Sequence, residues 1–154
     1  MPLSTAMIIA GGVVVLAVAC GLIARARNGR RRAGGPTRVR PEDLDGRRLA
    51  EVATLVQFST ELCTRCPQVR RLLRGIAEEY DGVAHAEIDL THRSDLATRH
   101  RVLQTPTTFL VDASGAVLAR WGGVPDRRSI DEALASVHTA VPDRAAVPDR
   151  LEQS

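Results

Sequence analysis

The pattern of apolar and polar residues between residues 43 and 139 predicts four strands and three helices. Apolar runs of about four to eight residues are typical of strands, and apolar residues that recur at helical spacing are typical of helices. A tight Ala-Ser-Gly turn joins the last two strands into a hairpin. The strands are predicted at 53–59, 83–90, 107–112 and 116–121, and the helices at 67–80, at 92–102 and after Gly122-Gly123.

The order of these elements is strand, helix, strand, helix, strand, strand, helix. Strand–helix–strand units imply parallel neighbours, and the terminal hairpin adds an antiparallel edge. The sequence therefore predicts an α/β domain with a mixed four-stranded sheet and helices on both sides.

An uncharged apolar segment precedes this domain. Ala6 to Ala24 is 19 residues long, which is about the minimum length that spans a bilayer as a helix. A buried core helix would need a domain around it, and a cleaved signal peptide would need a basic start, which residues 1–5 lack. Lipid modification of Cys20, which follows Leu-Ala-Val-Ala, is a further alternative. We expect one transmembrane helix.

The charge of the chain is divided between two regions. Residues 25–40 carry seven arginines and no acid, whereas residues 41–154 carry 14 arginines and all 18 acidic residues. The net charge of +3 therefore reports a short basic arm, and without aromatic stacking residues this arm does not indicate nucleic-acid binding. An anionic membrane face is the more natural partner. The positive-inside rule places residues 25–154 in the cytoplasm.

Composition divides the chain into four segments. The tail repeats Ala-Val-Pro-Asp-Arg and has few apolar residues, so it is predicted to be disordered. The segments are a membrane anchor at 1–24, an Arg-rich linker at 25–42, a folded domain at 43–139 and the tail at 140–154.

Cys63 and Cys66 lie two residues apart in Glu-Leu-Cys-Thr-Arg-Cys-Pro, where the first strand gives way to a helix. Unpaired backbone N–H groups and the helix dipole at such a junction favour the thiolate form of Cys63. Arg65 adds positive charge and favours it further. The residues therefore predict a nucleophilic Cys63 that attacks a substrate disulfide and a Cys66 that resolves the mixed disulfide.

Two other interpretations of the cysteine pair stay open from the residues alone. A structural zinc site needs four ligands, usually in two close pairs, and no metal site is expected because the other candidate ligands are scattered. These are Cys20, His85, His92, His100 and His138. Two inert buried cysteines are the second alternative. A serine hydrolase is excluded, because no Gly-x-Ser-x-Gly elbow is present.

Three motifs follow one another along the chain: Thr-Leu-Val-Gln-Phe-Ser-Thr-Glu-Leu-Cys-Thr-Arg-Cys at 54–66, Thr105-Pro106-Thr107, and the hairpin that ends at Gly122-Gly123. With these motifs the chain resembles the thioredoxin superfamily over residues 43–139, and in particular its membrane-anchored members. The resemblance implies a thioredoxin-like fold, a cis-proline at Pro106 beside the dithiol, and recognition of an extended substrate by the backbone of Thr105. It implies no cofactor beyond the redox-active Cys63–Cys66 disulfide.

The motif residues differ from the thioredoxin pattern in three places. Leu62 stands where thioredoxins place a tryptophan, and it is assigned to substrate binding with Thr105 and Pro106. Thr64-Arg65 replaces Gly-Pro, and Gln57 replaces the buried aspartate that, in the family it resembles, takes the proton of the resolving thiol. Gln57 and Arg65 are therefore expected to tune the pair. Arg65 stabilises the reduced form and is expected to make the disulfide more oxidising.

The expected function is that of a membrane-tethered thiol–disulfide oxidoreductase that reduces protein disulfides and receives electrons from an unidentified donor. The alternative is a thioredoxin-like binding module that holds a partner at the Pro106 groove without turnover. Many anchored relatives face outward, whereas the arginines here indicate a cytoplasmic domain. The cytoplasmic side is the expectation and the extracytoplasmic side the alternative.

Overall fold

The computed structural model describes residues 3–140 apart from residues 28 and 36. Of the predicted disordered tail, residues 141–154 lie outside the described residues. In chain order the elements are α1 (Leu3–Arg27), β1 (Arg31–Ala33), a 3-10 helix (Pro41–Leu44), β2 (Ala53–Ser59), α2 (Cys66–Glu79), β3 (Val83–Asp89), α3 (Ser94–Arg99), β4 (Thr107–Asp112), β5 (Val117–Gly122) and α4 (Arg127–Ala140).

The strands form one mixed sheet in the order β1-β5-β4-β2-β3. β2 and β3 are parallel neighbours, and the other three pairs are antiparallel. The strand–helix–strand unit gives the parallel pair and the hairpin gives an antiparallel pair, so the predicted mixed sheet is confirmed.

The predicted number of strands is wrong, because the sheet has five strands and not four. The additional strand is β1, which lies in the predicted linker and pairs antiparallel with residues 119–121 of β5. Its three side chains are exposed, so no apolar pattern marks it in the sequence. Its backbone is held instead: the N–H of Gly34 donates to the carbonyl of Leu118 at 3.2 Å, and a Cβ on Gly34 would meet the Val117 oxygen at 1.5 Å.

Two apolar cores lie on opposite faces of the sheet. Helices α2 and α4 cover one face, around Leu73, Trp121 and Leu134. Helix α3 and the 3-10 helix cover the other, around Phe58 and Leu96. The predicted α/β architecture with helices on both sides is therefore confirmed.

A buried polar cluster joins the 3-10 helix to α3. The Asp43 carboxylate, only 2% exposed, accepts a hydrogen bond from Arg99 Nη1 at 2.8 Å and lies 3.1 Å from Nε2 of His100. The His100 ring is buried against Phe58 and Phe109. Burial lowers the pKa of His100. These contacts attach the 3-10 helix, which lies at the start of the predicted domain, to the end of α3.

Helix α1 is continuous from Leu3 to Arg27, and its large apolar side chains are exposed, from 54% at Ile23 to 75% at Ile8. The alternative of a buried core helix is therefore wrong. Cys20 on this helix is a free, exposed cysteine. No helix among the described residues is long and apolar enough to cross a membrane, so the predicted transmembrane helix is not confirmed.

Candidate active site

Cys63 and Cys66 lie where the carboxyl end of β2 passes into α2, and they are joined by a disulfide bond with their Cα atoms 5.4 Å apart. Cys66 is the first residue of α2 and is 2% exposed, whereas Cys63 lies in the preceding turn and is partly exposed. The turn is closed by hydrogen bonds from the Cys63 N–H to the Thr60 carbonyl at 3.1 Å and from the Cys66 N–H to the Cys63 carbonyl at 3.2 Å. Cys63 is therefore the more accessible of the two cysteines.

The sequence after Cys66 explains why a helix begins there. Pro67 fits the first turn, where the missing N–H would have no helical partner. Val69, Leu73 and Ile76 follow at helical spacing and are fully buried against the sheet. These contacts hold the first turn of α2 against the sheet, directly after the turn that carries Cys63.

Arg65 lies between the cysteines with an exposed side chain. Neither Glu61 nor any other acidic residue in the described part of the chain forms an ion pair with it. Its positive charge is therefore available to a thiolate formed in the turn.

Gln57 links the dithiol to the neighbouring strand. It is fully buried on β2, and its amide N–H donates to the carbonyl oxygen of Cys66 at 3.0 Å. Its amide oxygen lies 3.2 Å from Nε2 of His85 on β3. Because the Cys66 carbonyl can only accept, the Gln57 nitrogen must face it and the Gln57 oxygen must face His85. Nε2 of His85 therefore carries a proton and donates it to Gln57.

The ring of His85 is neutral at pH 7, since burial lowers its pKa to about 4. The charges around the ring oppose one another: Glu87 raises this pKa, and Arg74, Arg70 and Arg47 lower it. With the proton of the neutral ring on Nε2, the second nitrogen, Nδ1, keeps a free lone pair.

Arg70 and Glu87 form a two-point ion pair between α2 and β3, with Nε to Oε2 at 2.6 Å and Nη2 to Oε1 at 2.7 Å. Burial acts to raise the pKa of Glu87, but the hydrogen bonds from Arg70 and Ser59 outweigh it and lower that pKa. Both oxygens of Glu87 are thus hydrogen-bonded to Arg70, and the carboxyl group is ionised at neutral pH.

The peptide bond between Thr105 and Pro106 is cis, and Pro106 is buried. The Gly123 N–H donates to the Pro106 carbonyl at 2.7 Å, and the hydroxyl oxygens of Thr105 and Thr60 are 3.2 Å apart. Because Thr60 lies three residues before Cys63, these contacts hold the loop beside the dithiol. The pairing of Thr105 with a substrate stays a prediction.

Two leucines beside the site are almost completely exposed, Leu62 at 92% and Leu103 at 95%. Leu62 directly precedes Cys63, and Leu103 lies two residues before Thr105. The assignment of Leu62 to substrate binding stays a prediction. Leu103 was not predicted from the sequence, although its position just before the Thr-Pro motif was an available signal.

A groove of about 950 Å³ opens between α2 and β3, which is an edge strand of the sheet. Both cysteines, Arg70, His85 and Glu87 are among the residues that line it. Across the described residues, no group of three His, Cys, Asp or Glu side chains is placed to hold a metal ion. The arrangement offers a partly exposed sulfur, a buried second sulfur and a polar groove with solvent access.

The cysteines, Gln57 and the Thr-Pro loop were predicted as site residues from the sequence, whereas His85 was considered only as one of several scattered candidate zinc ligands and Glu87 was not singled out. The signal for these two residues was strand alternation. Residues 85 and 87 lie on the same face of β3 as Val83, which packs in the core under α2, and Gln57 is in register with Glu87 in the parallel pair.

A family model described as Thioredoxin matches residues 45–136. Among solved structures, a mutant thioredoxin from Halobacterium salinarum NRC-1 is 24% identical with a TM-score of 0.54, over 69% of this chain and 91% of that one. A structure described as that of a malarial protein is 17% identical with a TM-score of 0.50, over 55% of this chain and 96% of that one. At these identities the two structures show a shared fold. No curated protein matches the chain.

Proposed function

The chain belongs to the thioredoxin family, and on that premise we propose that it is a thiol–disulfide oxidoreductase that reduces protein disulfides with Cys63 and Cys66. The observation that carries this proposal is the Cys63–Cys66 disulfide at the start of α2, with the more accessible cysteine beside the cis Thr105–Pro106 loop. Thiol–disulfide exchange requires one sulfur within reach of a substrate and a second within bonding distance of the first. This pair meets both requirements.

The reaction runs through a mixed disulfide. The Cys63 thiolate attacks one sulfur of a substrate disulfide, forms a Cys63–substrate bond and releases the other substrate sulfur as a thiolate. Cys66 then attacks Cys63, re-forms the intramolecular disulfide and releases the second substrate thiolate. Two electrons pass from the protein dithiol to the substrate, and a separate donor must reduce the protein again.

Arg65 and Gln57 are the residues proposed to set the redox properties of the pair. The exposed guanidinium of Arg65, which forms no ion pair within the described part of the chain, stabilises a thiolate and therefore the reduced state, which makes the disulfide more oxidising. Gln57 replaces an ionisable group with a neutral amide that is hydrogen-bonded at both ends.

The test compares the purified full chain with Cys63→Ser and Cys66→Ser variants. We expect the reduced protein to reduce insulin, Cys63→Ser to abolish this activity, and Cys66→Ser to accumulate a mixed disulfide with the substrate. Alkylation of the reduced protein should modify Cys63 faster than Cys66. Activity that survives Cys63→Ser, or equal alkylation of the two thiols, would contradict the proposal.

A second candidate function is a binding module that holds a partner at the Pro106 loop without turnover. The exposed Leu62, which offers a partner an apolar contact, and Gln57, which has no titratable group under the dithiol, favour it. A double Cys63→Ser, Cys66→Ser variant separates the two functions. An undiminished partner complex would support the binding module, whereas loss of the complex together with a Cys66→Ser trap would support exchange.

We further propose that α1 attaches the protein to a membrane and that the thioredoxin domain lies on the cytoplasmic side. The exposed apolar side chains of residues 7–23 and the arginines that follow α1 support this proposal. The alternative is an extracytoplasmic domain. A C-terminal reporter that is active on only one side of the membrane tests the orientation, and activity outside the cytoplasm would overturn the cytoplasmic assignment.

A further inference from the structure

The resolving step of the proposed exchange needs a group that accepts a proton. Cys66 attacks as a thiolate, so its thiol must first lose a proton. Cys66 is 2% exposed, and the side chain that donates to its carbonyl, Gln57, has no titratable group. The candidates for a protein acceptor are therefore the other titratable side chains of the groove.

The acidic residues of the groove are poorly suited to this role. Glu87 is engaged by Arg70 at both oxygens, and Asp89 accepts hydrogen bonds from the backbone and hydroxyl of Thr91. The others that line the groove, Asp45, Glu61 and Glu78, are exposed and form no hydrogen bond with Gln57.

His85 is the titratable residue that hydrogen-bonds Gln57, and it lines the same groove as Cys66. The hydrogen bond to Gln57 places the proton of the neutral ring on Nε2, so the free lone pair is on Nδ1. A groove of about 950 Å³ has room for the water that a proton transfer from Cys66 would need.

We propose that His85 accepts the proton of the Cys66 thiol, through water in the groove, during the resolving step. This inference rests on the proposed exchange function. The proton acceptor then lies on β3, whereas β2, the strand that leads to the dithiol, carries the neutral amide of Gln57.

Protons and electrons balance within this step. The Cys66 thiol passes its proton by way of water to Nδ1 of His85, and the Cys66 thiolate attacks the Cys63 sulfur of the mixed disulfide. The Cys63–Cys66 bond forms and the Cys63–substrate bond breaks. The substrate leaves as a thiolate, which takes the proton from the imidazolium through the same water.

The charges facing His85 favour this transfer only while the thiolate forms. With the disulfide intact, burial keeps the ring neutral, and the effects of Glu87 on β3, of Arg70 and Arg74 on α2 and of Arg47 before β2 partly cancel. A negative charge that develops at Cys66 raises the affinity of the ring for a proton, because an opposite charge nearby stabilises the charged form. The imidazolium therefore exists transiently, paired with the thiolate.

The two steps of exchange can be timed separately with the reduced full chain, in a Cys20→Ser background that removes the free thiol of α1 from every protein compared, and an aromatic disulfide whose thiolate product is coloured. The first colour burst reports attack by Cys63, and the second reports attack by Cys66. His85→Gln keeps a donor for the Gln57 oxygen but removes the imidazole. We expect it to slow the second burst at pH 7 by about tenfold or more and to leave the first burst within about twofold of wild type.

The pH profile separates proton transfer from a structural effect. As the pH rises, hydroxide replaces the imidazole as the acceptor of the Cys66 proton, so the difference between His85→Gln and wild type should shrink with rising pH. His138→Gln on α4 is the matched control and should keep both bursts. A second burst that is unchanged in His85→Gln, or slowed equally at every pH, would overturn the inference alone. Absence of the first burst in wild type would overturn the exchange function and the inference with it.

Discussion

Gln57 shows how one buried side chain can hold the dithiol in place without charge. Its amide is used at both ends, as a donor to the Cys66 carbonyl at 3.0 Å and as an acceptor 3.2 Å from Nε2 of His85. A carboxylate at this position would have no proton to donate to the carbonyl, and it would titrate. The amide instead ties β2 to both α2 and β3 at every pH.

Gln57→Ala is therefore expected to destabilise the domain by about 1–3 kcal/mol, because it removes both hydrogen bonds and leaves a half-buried imidazole N–H without its acceptor. The free energy of unfolding from urea titration measures the effect. Gln68→Ala, which changes an exposed glutamine of α2, is the matched control and should change that energy by less than about 0.5 kcal/mol. Equal stability of Gln57→Ala and wild type would show that the hydrogen bonds contribute nothing net.

The buried histidines predict how stability depends on pH. Burial lowers the pKa of His85 to about 4 and also lowers that of His100, whereas an unfolded histidine titrates near about 6.5. Between these values the unfolded chain binds more protons than the folded one, so stability falls as the pH falls from about 6.5 towards 4. Glu87 and Asp89, whose pKa values are lowered in the folded state, add a loss of stability in the same direction at the acid end.

The expected result is a lower free energy of unfolding at pH 5 than at pH 7, with a smaller difference in His85→Gln than in wild type. Urea titrations at the two pH values measure it, with His138→Gln as the matched control. His100 keeps part of the dependence in His85→Gln. The same difference in both proteins would mean that His85 does not resist protonation in the folded state.

The strands differ in how clearly the sequence marks them. β2 is buried at every position and β4 at all but its last, so runs of apolar residues predict both strands with the observed bounds. Helix α3 is shorter than predicted, Ser94–Arg99 instead of 92–102, because it contributes little more than Leu96 to the core and its ends are polar. β1 has no buried side chain, and its pairing depends on backbone contacts that the sequence pattern does not encode.

The residues of the candidate site also differ in how clearly the sequence marks them. The cysteines, Gln57 and Thr105-Pro106 belong to local motifs, which a sequence alone can present. The contact of Gln57 with His85 and that of Thr60 with Thr105 join residues 28 and 45 positions apart. Such contacts follow only from how the strands and their loops assemble, which is why the place of His85 beside Gln57 was first recognised in the structure.

Gly34 offers a test of how β1 is held. A Cβ at this position would lie 1.5 Å from the Val117 carbonyl oxygen, whereas at Gly35 nothing lies within 4 Å. We expect Gly34→Ala to separate the end of β1 from β5 and to destabilise the protein by about 1–3 kcal/mol. Amide hydrogen exchange should show faster exchange along β1, and urea titration gives the free energy.

Gly35→Ala is the matched control for this substitution. It should leave both the exchange of β1 and the free energy of unfolding close to wild type, within about 0.5 kcal/mol. If Gly34→Ala behaves like Gly35→Ala, the close approach to β5 does not limit the strand.

On the scale of the whole molecule, the short connection between α1 and β1 means that membrane attachment of α1 would also limit the position of the dithiol. Three residues separate Arg27 from Arg31, and such a connection spans at most about 14 Å. Because β1 is an edge strand of the sheet, the domain cannot move far from the end of α1. A membrane-attached α1 would therefore confine the dithiol to substrates near the membrane surface.

The exposed apolar surface of α1 makes this confinement testable. Leu16 lies in the middle of the helix and is 65% exposed, so an arginine there can disturb the helix surface without touching either core of the domain. A charge at the centre of a membrane-inserted helix costs about 2.5–3.5 kcal/mol, which corresponds to roughly a hundredfold weaker insertion. We expect Leu16→Arg to release the protein from membranes after an alkaline carbonate wash, while wild type stays in the membrane fraction.

The matched control is Leu103→Arg, which places the same charge at an exposed leucine of the domain and should leave the protein membrane-bound. Retention of Leu16→Arg equal to that of wild type would mean that the apolar surface of α1 serves some contact other than a bilayer.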